Sequence, residues 1–419
     1  MRIDAVSAKA IADTRGKPTV EVTLSANTFT ATASVPSGKS TGSHEAKELR
    51  DADGGVATAV ANVNGEIAHA LVGQRFASLD ELDDALIALD GTSDKSRLGA
   101  NAILGVSIAA QRLSALLKEE PLWKAIAERA GTPPAGGSRA PRLFVNVMNG
   151  GAHADFKLPF QEYLLVAEGP TSEALPLAQE LFAKLGEQLR NVDKSDLSSW
   201  TSLTCPLGDE GGYAPTFDTL EEPFELLLEL IAKHSSMSIA LDAAATELRK
   251  DGGYELIGTR YSPAELTALY GKLAEKYRLH SIEDPFAEDA LDDFARLTTA
   301  LNSPSTSLGA TTILVVGDDL TVTNPEHIEA ARVAGAINAV LIKPNQIGTV
   351  KEAIEAVRLT RTNGWAVICS HRSGETMDTF IADFAYGVGA HGIKAGGFGQ
   401  KERLAKYERL LAIEREALV

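Results

Sequence analysis

Six apolar stretches in the second half of the 419-residue chain each end at a polar or charged residue, and this repeat limits the folds that the chain can adopt. The residues at these ends are Asp242, Glu283, Asp318, Lys343, His371 and Lys394. Successive ends lie 23 to 41 residues apart, about the length of one strand followed by one helix. Apolar strands that alternate with helices indicate a parallel sheet covered on both faces, and six or more units favour a closed α/β barrel. Because the carboxyl ends of barrel strands meet at one end, we expect these side chains to share a pocket.

The first part of the chain has a different pattern, which predicts a smaller α+β domain. Val20–Leu24 and Phe29–Val35 are short runs rich in Val and Thr and predict strands. A capping-box motif that begins at Ser78 precedes a helix predicted over 79–89. The helix predicted over 99–119 carries apolar residues on nearly all of its faces, so we expect it to be buried.

A Pro- and Gly-rich segment without periodicity separates the two parts of the chain. We predict an N-terminal domain over 1–130, a linker over 131–141 and a barrel domain over 142–419. Within the barrel domain, Ser262 and Asn324 precede proline and an acidic residue, a pattern typical of helix starts.

The composition excludes several classes of protein. A net charge of −17 disfavours binding to nucleic acids and to anionic membranes, because their phosphates would be repelled. No uninterrupted apolar run reaches the roughly 18 residues of a membrane span, and the first residues lack the pattern of a secretory signal. Two cysteines, Cys205 and Cys369, cannot form a disulfide framework. We therefore expect a cytoplasmic protein with no nucleic-acid partner and no membrane partner.

Three acidic residues at successive strand ends predict a metal site. Asp242, Glu283 and Asp318 offer the carboxylate oxygens that Mg²⁺ prefers, and no Cys/His set suited to zinc accompanies them. The adjacent Asp284 and Asp319 are placed to support these ligands. The alternative is that each acid caps the helix that follows it, but three in succession favour a metal site.

Two lysines also follow apolar strands. Lys343 ends the run Ala-Val-Leu-Ile-Lys, where burial and nearby cations would lower the pKa of its amine and let it act as a general base. A structural ion pair with a neighbouring carboxylate is the alternative. Lys394 is placed to pair with a carboxylate of a substrate.

Two polar turns offer groups for an anionic substrate. Arg372 and Ser373 follow a strand, and a guanidinium with a hydroxyl suits phosphate recognition. Glu210 lies in the glycine-rich run 208–215, where an enclosed carboxyl could stay protonated as a general acid. A plain acidic turn is the alternative for Glu210.

The segment 36–42, Pro-Ser-Gly-Lys-Ser-Thr-Gly, follows a predicted strand and looks like the end of a P-loop. That motif requires a glycine five residues before Gly38, where this chain has Ala33. The remaining tripeptide is weak evidence, so we do not predict a nucleotide-binding loop.

Together these segments resemble the enolase family. The matching motifs run in order through most of the chain and include TRGKPTVEV, VPSGKSTG, NVMNGGAHA, GDEGGYAP, SIEDPFAED, IKPNQIGT and SHRSGET. The resemblance implies a small N-terminal α+β domain followed by an eight-fold, TIM-like barrel of the enolase type whose first units are irregular. It also implies a hydro-lyase of glycolysis and gluconeogenesis, phosphopyruvate hydratase, which reversibly dehydrates 2-phosphoglycerate to phosphoenolpyruvate.

The resemblance assigns two Mg²⁺ ions to each active site. Asp242, Glu283 and Asp318 would bind the tighter ion. Ser40 would help to bind the second ion, which arrives with the substrate. A homodimer or higher homo-oligomer is also implied.

The resemblance further assigns catalytic roles to matching residues. Lys343 would remove the proton from C2 and so create a Mg²⁺-stabilised enolate. Glu210 would assist loss of the C3 hydroxyl. Glu162 and His153 would complete that side of the pocket.

The remaining matches concern substrate binding. Arg372 and Ser373 would bind the phosphate, with His371 close by. Lys394 would bind the carboxylate of the substrate. Gln161 would lie near the substrate.

The chain departs from the usual family pattern at several positions. Lys39 stands where most members have Ala, and the segment after Asp51 is shorter than usual. Ala395–Gln400 replaces a different loop, and Ala412 stands where an interface Arg is usual. None of these departures removes a predicted catalytic group, but they affect loops and the expected dimer contact.

Two other functions were weighed. A related enzyme acting on a different acid is disfavoured by the phosphate-binding pair Arg372 and Ser373. A binding or lens-type structural protein that retains only the fold is disfavoured by Glu210 and Lys343, since an idle site needs neither.

Overall fold

A computed structural model describes residues 1–39, 42–132, 140–192, 205–303 and 312–417. Ser40 and residues 133–139 of the predicted linker lie outside these ranges. Buried apolar residues form one extensive core that runs through both parts of the chain, and a smaller core fills the interior of the barrel.

The N-terminal part pairs a three-stranded antiparallel sheet with helices. Its strands are β1 (Ala5–Ala12), β2 (Pro18–Ala26) and β3 (Phe29–Ser34). Its helices are α1 (Ala57–Asn62), a π-helical turn (Val63–Ile67), α2 (Ala68–Leu71), α3 (Leu79–Asp90), α4 (Ala100–Leu117) and α5 (Leu122–Ala130). Helix α4 packs closely on β2, since a Cβ added at Gly105 would lie 2.5 Å from a methyl carbon of Val22.

Helix α4 has enough length and apolar character to cross a membrane, with a mean hydropathy of 1.3. However, 78% of it is buried inside the protein, and the core helix of a folded domain meets the same criteria. The predicted buried helix over 99–119 is therefore confirmed to within two residues at each end.

The predictions for the other N-terminal elements are largely confirmed. The two predicted strands correspond to β2 and β3, and the helix after Ser78 corresponds to α3. Ser78 caps α3, because its Oγ accepts a hydrogen bond from the Glu81 backbone N–H at 3.1 Å. The carboxylate of Glu81 accepts from the N–H of Ala77 at 2.6 Å, so the reciprocal half of the capping box is displaced by one residue. Strand β1 was not predicted.

The C-terminal part forms a closed eight-stranded barrel and a small hairpin sheet. The barrel strands are β4 (Arg142–Asn149), β5 (Glu162–Ala167), β6 (Met237–Asp242), β10 (Leu279–Glu283), β11 (Leu314–Gly317), β12 (Ala339–Ile342), β13 (Ala366–Ser370) and β14 (Gly392–Lys394). The small sheet consists of β7 (Arg249–Lys250), β8 (Gly253–Leu256) and β9 (Thr259–Tyr261). The barrel confirms the predicted fold class.

Helices follow or connect the barrel strands. They are α6 (Thr171–Val192), α7 (Glu222–Ile231), α8 (Pro263–Tyr277), α9 (Leu291–Asn302), α10 (Pro325–Ala334), α11 (Pro344–Ile347), α12 (Val350–Thr362), α13 (Phe380–Gly387) and α14 (Lys401–Ala417). The caps predicted at Ser262 and Asn324 are confirmed, because both side chains accept backbone hydrogen bonds at helix starts.

The sheet is parallel except at β5, which runs antiparallel to both β4 and β6. A parallel pair needs a long crossover, usually a helix, whereas the segment between β4 and β5 holds only a 3₁₀ turn at Gly151–Ala154. The uniformly parallel sheet expected from strand pattern alone is therefore wrong at this strand. The reversal brings Glu162, the first residue of β5, to the end where the other strands finish.

Candidate active site

The register of three neighbouring strands places three acids side by side at the carboxyl end of the barrel. Glu162 pairs with Asp242, and Asp242 pairs with Glu283. All three side chains are buried. Buried carboxylates without partners are costly, so the local geometry requires cations or protons among them.

Lys394 lies at the centre of these acids. Its Nζ is 3.1 Å from Asp242 Oδ2, 2.9 Å from both carboxylate oxygens of Glu283 and 3.1 Å from Glu162 Oε2. Burial acts to lower the pKa of Lys394, but the surrounding carboxylates raise it well above its usual value. Lys394 is therefore a permanent cation at this point.

Lys343 has a separate partner, Asp318. Its Nζ forms an ion pair with Asp318 Oδ2, while Gln346 Nε2 donates to Asp318 Oδ1 at 2.9 Å. Burial acts to lower the pKa of Lys343, but the charge of Asp318 outweighs it and raises that pKa. The expected lowering of the Lys343 pKa depends on cations near the amine, whereas the nearest charge here is the carboxylate of Asp318, so it stays a prediction.

Asp284 supports the end of β11. Its two carboxylate oxygens accept the backbone N–H groups of Asp318 at 3.0 Å and of Asp319 at 2.7 Å. Burial raises the pKa of Asp284 well above its usual value, and burial with the charge of Asp318 raises the pKa of Asp319 to about 7. The raised pKa values of Asp284 and Asp319 indicate an excess of negative charge at the site.

Among the residues that the structure describes, two groups of side chains have the spacing of a metal site. One consists of Asp284, Asp318 and Asp319, and the other of His153, Glu162 and Glu210; within each group the ligand atoms all lie within 4.8 Å of one another. The first is a set of carboxylate oxygens, which suits a hard divalent cation. The predicted set of Asp242, Glu283 and Asp318 differs from both, since lysines lie against these acids.

Glu162 and Glu210 lie close enough that the charge of one affects the pKa of the other. Burial raises the pKa of Glu162 well above its usual value, and the charge of Glu210 adds to this. Burial also acts to raise the pKa of Glu210, but His371 and His153 lower it well below its usual value. The charges in this arrangement favour a proton on Glu162 rather than on Glu210, and the general-acid role of Glu210 stays a prediction.

The histidines explain why the charge settles on Glu210. His371 Nε2 is 3.3 Å from Glu210 Oε2, and Arg403 donates to His371 Nδ1, so Nε2 carries the ring proton that faces Glu210. Burial lowers the pKa of His371 to about 4. His153 Nδ1 lies 3.7 Å from Glu210 Oε1 and 3.9 Å from Glu162 Oε1.

Arg372 points its guanidinium at Glu45, an acid from the N-terminal part of the chain that the sequence reasoning missed. Nη1 and Nη2 of Arg372 lie 2.9 and 3.1 Å from the two oxygens of Glu45, and Nη1 also donates to Asn345 Oδ1 at 3.0 Å. The neighbouring Ser373 Oγ accepts from Arg15 Nη1 at 3.4 Å. A planar fork held in this way is preorganised to bind an anion.

The glycine-rich turn around Glu210 packs tightly against the end of β4. A Cβ at Gly208 would lie 2.4 Å from the Cβ of Asn149, so only glycine fits there. Asn146 Nδ2 donates to Glu210 Oε2 at 3.2 Å and fixes the carboxylate. The glycine-rich turn thus lies close to the protein itself, and Asn146 is a further contact that the sequence did not reveal.

These residues line one pocket at the carboxyl end of the barrel. Its lining residues are His153, Gln161, Glu162, Glu210, Asp242, Ala244, Asp284, Asp318, Asp319, Lys343, Ser370, His371, Arg372, Ser373 and Lys394. Glu283 adjoins it through Lys394, whereas the predicted ligand Ser40 lies outside the described residues. Within the described part of the chain, both ring nitrogens of His153 and Oε1 of Gln161 are buried without a hydrogen-bond partner. Such atoms in a pocket require a polar ligand or water.

A closed barrel with acids and amines gathered at the carboxyl ends of its strands defines the class of α/β-barrel enzymes. Comparison with known proteins gives the family. Family profiles described as "Enolase, C-terminal TIM barrel domain" and "Enolase, N-terminal domain" match residues 139–418 and 3–126. The chain therefore belongs to the enolase family.

Similar proteins come from all three domains of life. Enolase 1 of Methylococcus capsulatus is 44% identical over 433 residues, which cover 99% of this chain and 97% of the relative. The enolase of Methanopyrus kandleri is 42% identical over 430 residues, covering 99% and 96%. Enolase B of Dictyostelium discoideum is 40% identical over 440 residues, covering 99% and 95%. The similarity thus extends across both parts of the chain.

Proposed function

We propose that this chain is a lyase that reversibly dehydrates 2-phosphoglycerate to phosphoenolpyruvate in glycolysis and gluconeogenesis. The observation that supports this most is the pocket itself, where an amine, Lys343, and a proton-holding acid pair, Glu162 with Glu210, lie beside two fixed cations, Lys394 and Arg372. Dehydration of this kind needs a base for carbon, an acid for oxygen and positive charge for the substrate anions.

The first requirement is charge stabilisation. A proton beside a carboxylate is barely acidic, because its removal adds negative charge to an anionic group. We propose Mg²⁺ as the metal, with Asp242, Glu283 and Asp318 as ligands of one ion and Ser40 as a ligand of a second ion that arrives with substrate. Divalent cations bound there would neutralise the crowded carboxylates, lower the pKa of Lys343 and stabilise the charge that develops on the substrate.

Lys343 is the proposed base. Its amine must be neutral when it accepts the proton from C2, so its ion pair with Asp318 has to weaken in the reactive state. Gln346 and the buried Thr323 hold the surrounding backbone, since Thr323 Oγ1 accepts from the Lys343 N–H at 2.9 Å and donates to Gln346 at 2.7 Å. This support fixes the position of the lysine on the barrel rim.

The acid pair is proposed to act on the other side of the reaction. Glu162 holds the shared proton, and Glu210 is fixed by Asn146 and His371. The pair delivers this proton to the C3 hydroxyl as the C–O bond breaks, so that oxygen leaves as water. His153, with no hydrogen-bond partner for its ring nitrogens among the described residues, is placed to contact that oxygen.

The fixed cations are proposed to bind the substrate. Lys394 would bind the carboxylate, and Arg372 with Ser373 would bind the phosphate, with His371 next to them. Gln161 Nε2 donates to Asp242 Oδ2 at 3.3 Å, which leaves its Oε1 for the substrate. Because Glu45 holds the fork of Arg372, phosphate has to share that guanidinium or displace Glu45 from it.

We also propose a cytoplasmic location, a homodimer or higher homo-oligomer, and no nucleic-acid or membrane partner. The absence of a cysteine framework supports the cytoplasmic location. The net charge of −17 supports the absence of nucleic-acid and membrane partners. Ala412 stands where a relative would use Arg at the interface, so the contact between copies must rest on other residues. The proposed domain boundaries are 1–130 and 142–419.

The test is a spectroscopic assay of the purified protein with 2-phosphoglycerate, followed by the ultraviolet absorbance of phosphoenolpyruvate. We expect turnover with Mg²⁺ and none after chelation with EDTA, with recovery when Mg²⁺ is restored. A protein that binds Mg²⁺ but produces no phosphoenolpyruvate would refute the proposed function.

A further inference from the structure

Lys39 makes two contacts through its ammonium group that a short side chain could not reach. It follows β3, and its Nζ lies 2.6 Å from Asp209 Oδ2 and 2.8 Å from the carbonyl oxygen of Ala152. One ammonium group therefore joins the N-terminal part of the chain to two separate loops of the barrel.

Both acceptors directly precede residues that are proposed to act on the C3 hydroxyl. Ala152 precedes His153, and Asp209 precedes Glu210. The two loops are also joined to each other, because the Asp209 N–H donates to the carbonyl oxygen of His153 at 3.1 Å. Lys39 thus adds a second connection at the point where these loops meet.

The rest of the Asp209 backbone is held from the opposite side. Its carbonyl oxygen accepts from Arg403 Nη2 at 3.0 Å and from Gln400 Nε2 at 3.2 Å, both from the region of α14. The Asp209 side chain, in contrast, has Lys39 as its ion-pair partner. The ion pair with Lys39 therefore restricts movement of the Asp209 side chain, which the backbone contacts do not restrict.

We propose that Lys39 is a positioning residue that ties the loops of His153 and Glu210 together and fixes the spacing of these two residues. This inference deepens the proposed function and rests on it. Small errors in the position of a reacting group reduce rate strongly, so a tie of this kind acts on turnover. An exposed lysine that only attracted the anionic substrate would instead act on KM and lose its effect in salt.

The first test is a double-mutant cycle with 2-phosphoglycerate and Mg²⁺. We expect Lys39→Ala to lower kcat about fivefold, as for loss of one half-exposed ion pair, and Asp209→Asn to lower it similarly. The double variant should lose no more than the worse single variant, because both single variants remove the same ion pair between Lys39 and Asp209. A wild-type kcat in Lys39→Ala, losses that multiply, or a loss confined to KM that vanishes in high salt would overturn the proposal.

A matched control is Lys9→Ala, which removes another exposed ion pair, with Glu21 at 2.8 Å, from the N-terminal sheet. We expect wild-type kinetics from this variant. Equal losses in Lys9→Ala and Lys39→Ala would overturn the proposal by showing a general effect of lost surface charge.

The second test does not need activity. Hydrogen exchange of the peptides that cover 150–156 and 207–214 should be faster in Lys39→Ala than in wild type and unchanged in Lys9→Ala. Unchanged exchange in Lys39→Ala would overturn the tie. If wild type itself fails to produce phosphoenolpyruvate, the proposed function fails while the exchange experiment still decides whether Lys39 joins the loops.

Discussion

Both ends of the barrel contain a cluster of charged residues, but the two clusters differ in how far their groups are paired with one another. At the carboxyl end, Asp318, Asp319, Glu162 and their neighbours crowd around Lys343 and Lys394. At the amino end, Arg142, Glu168, His280 and His391 form a small cluster. Between the two ends, a layer of apolar side chains fills the barrel; it consists of Phe144, Leu164, Val166, Ala240, Leu314, Val316, Ala339, Leu341 and Ile368.

The amino-end cluster pairs most of its groups internally, although Nε of Arg142 is buried without a hydrogen-bond partner among the described residues. His280 Nε2 and His391 Nε2 lie 3.1 Å apart, and Arg142 Nη2 donates to Glu168 Oε1 at 2.6 Å. Burial, with the charge of Arg142, lowers the pKa of His391 to about 4, and burial with the charges of His391 and Arg142 lowers the pKa of His280 to about 3. Both imidazoles are therefore neutral near pH 7, and one donates its proton to the other.

The carboxyl-end cluster does not pair its groups to this extent. Carboxylates outnumber the lysines and Arg372, and several of their pKa values are raised as a result. His153 and Gln161 add buried atoms that have no hydrogen-bond partner among the described residues. The difference indicates that one end is built for stability and the other for binding a ligand and cations, as is general for α/β barrels.

The largest effect that would sharpen this comparison is expected at Lys343. Replacing it with Ala should lower kcat about 10³-fold or more, because the base for C2 is lost, while Mg²⁺ binding is largely retained. Lys351→Ala, which removes a lysine paired with Asp84 outside the pocket, serves as the control. Substantial activity in Lys343→Ala would exclude this lysine as the base.

A smaller effect is expected on metal affinity. Asp318→Asn should weaken Mg²⁺ binding about tenfold or more, since even groups that only support ligands contribute this much. Calorimetric titration measures it, with Asp289→Asn as a control at a surface ion pair. An unchanged Mg²⁺ titration would reject Asp318 as a ligand.

The amino end should instead control stability against acid. Because the folded pKa values of His280 and His391 lie below the unfolded value of about 6.5, their contribution is complete above that pH and is lost as pH falls towards 4 and then 3. Between pH 7 and pH 5, His391→Gln should lose about 2 kcal/mol less stability than wild type in urea unfolding. His69→Gln, at an exposed site, should follow wild type. Parallel curves for wild type and His391→Gln would contradict this.

The smallest effect concerns a helix start away from both ends. Ser262 Oγ accepts from the Glu265 N–H at 3.3 Å, and Glu265 accepts from the Ser262 N–H at 2.8 Å. Ser262→Ala should cost about 1 kcal/mol of stability and leave kcat unchanged. An unchanged urea midpoint, or a change in kcat, would show that this cap does not act as a local element.

The strand-end pattern predicted the barrel and much of its pocket because strand ends in a barrel are necessarily neighbours. It did not predict the reversal of β5, since that depends on the absence of a crossover helix rather than on a residue pattern. The small sheet β7–β9 was also missed, although the Gly pair at 252–253 and the Gly at 258 are turn signals that could have revealed it.

The partners of the charged side chains were harder to predict than their positions. Glu45 lies in a polar and charged run, yet it is buried and bound to Arg372, 327 residues away. Whether Lys343 carries a lowered or a raised pKa depends on whether its nearest neighbour is a cation or Asp318. Sequence spacing gives no information on either distance.

We propose that acids from three barrel strands bind a divalent cation at the carboxyl end of the barrel. Anomalous diffraction from crystals soaked in Mn²⁺, a substitute for Mg²⁺, locates such an ion. We expect a peak bonded to carboxylate oxygens of Asp242, Glu283 and Asp318 at about 2.0–2.6 Å. A peak held by Asp284, Asp318 and Asp319 instead, or none in this pocket, would contradict it.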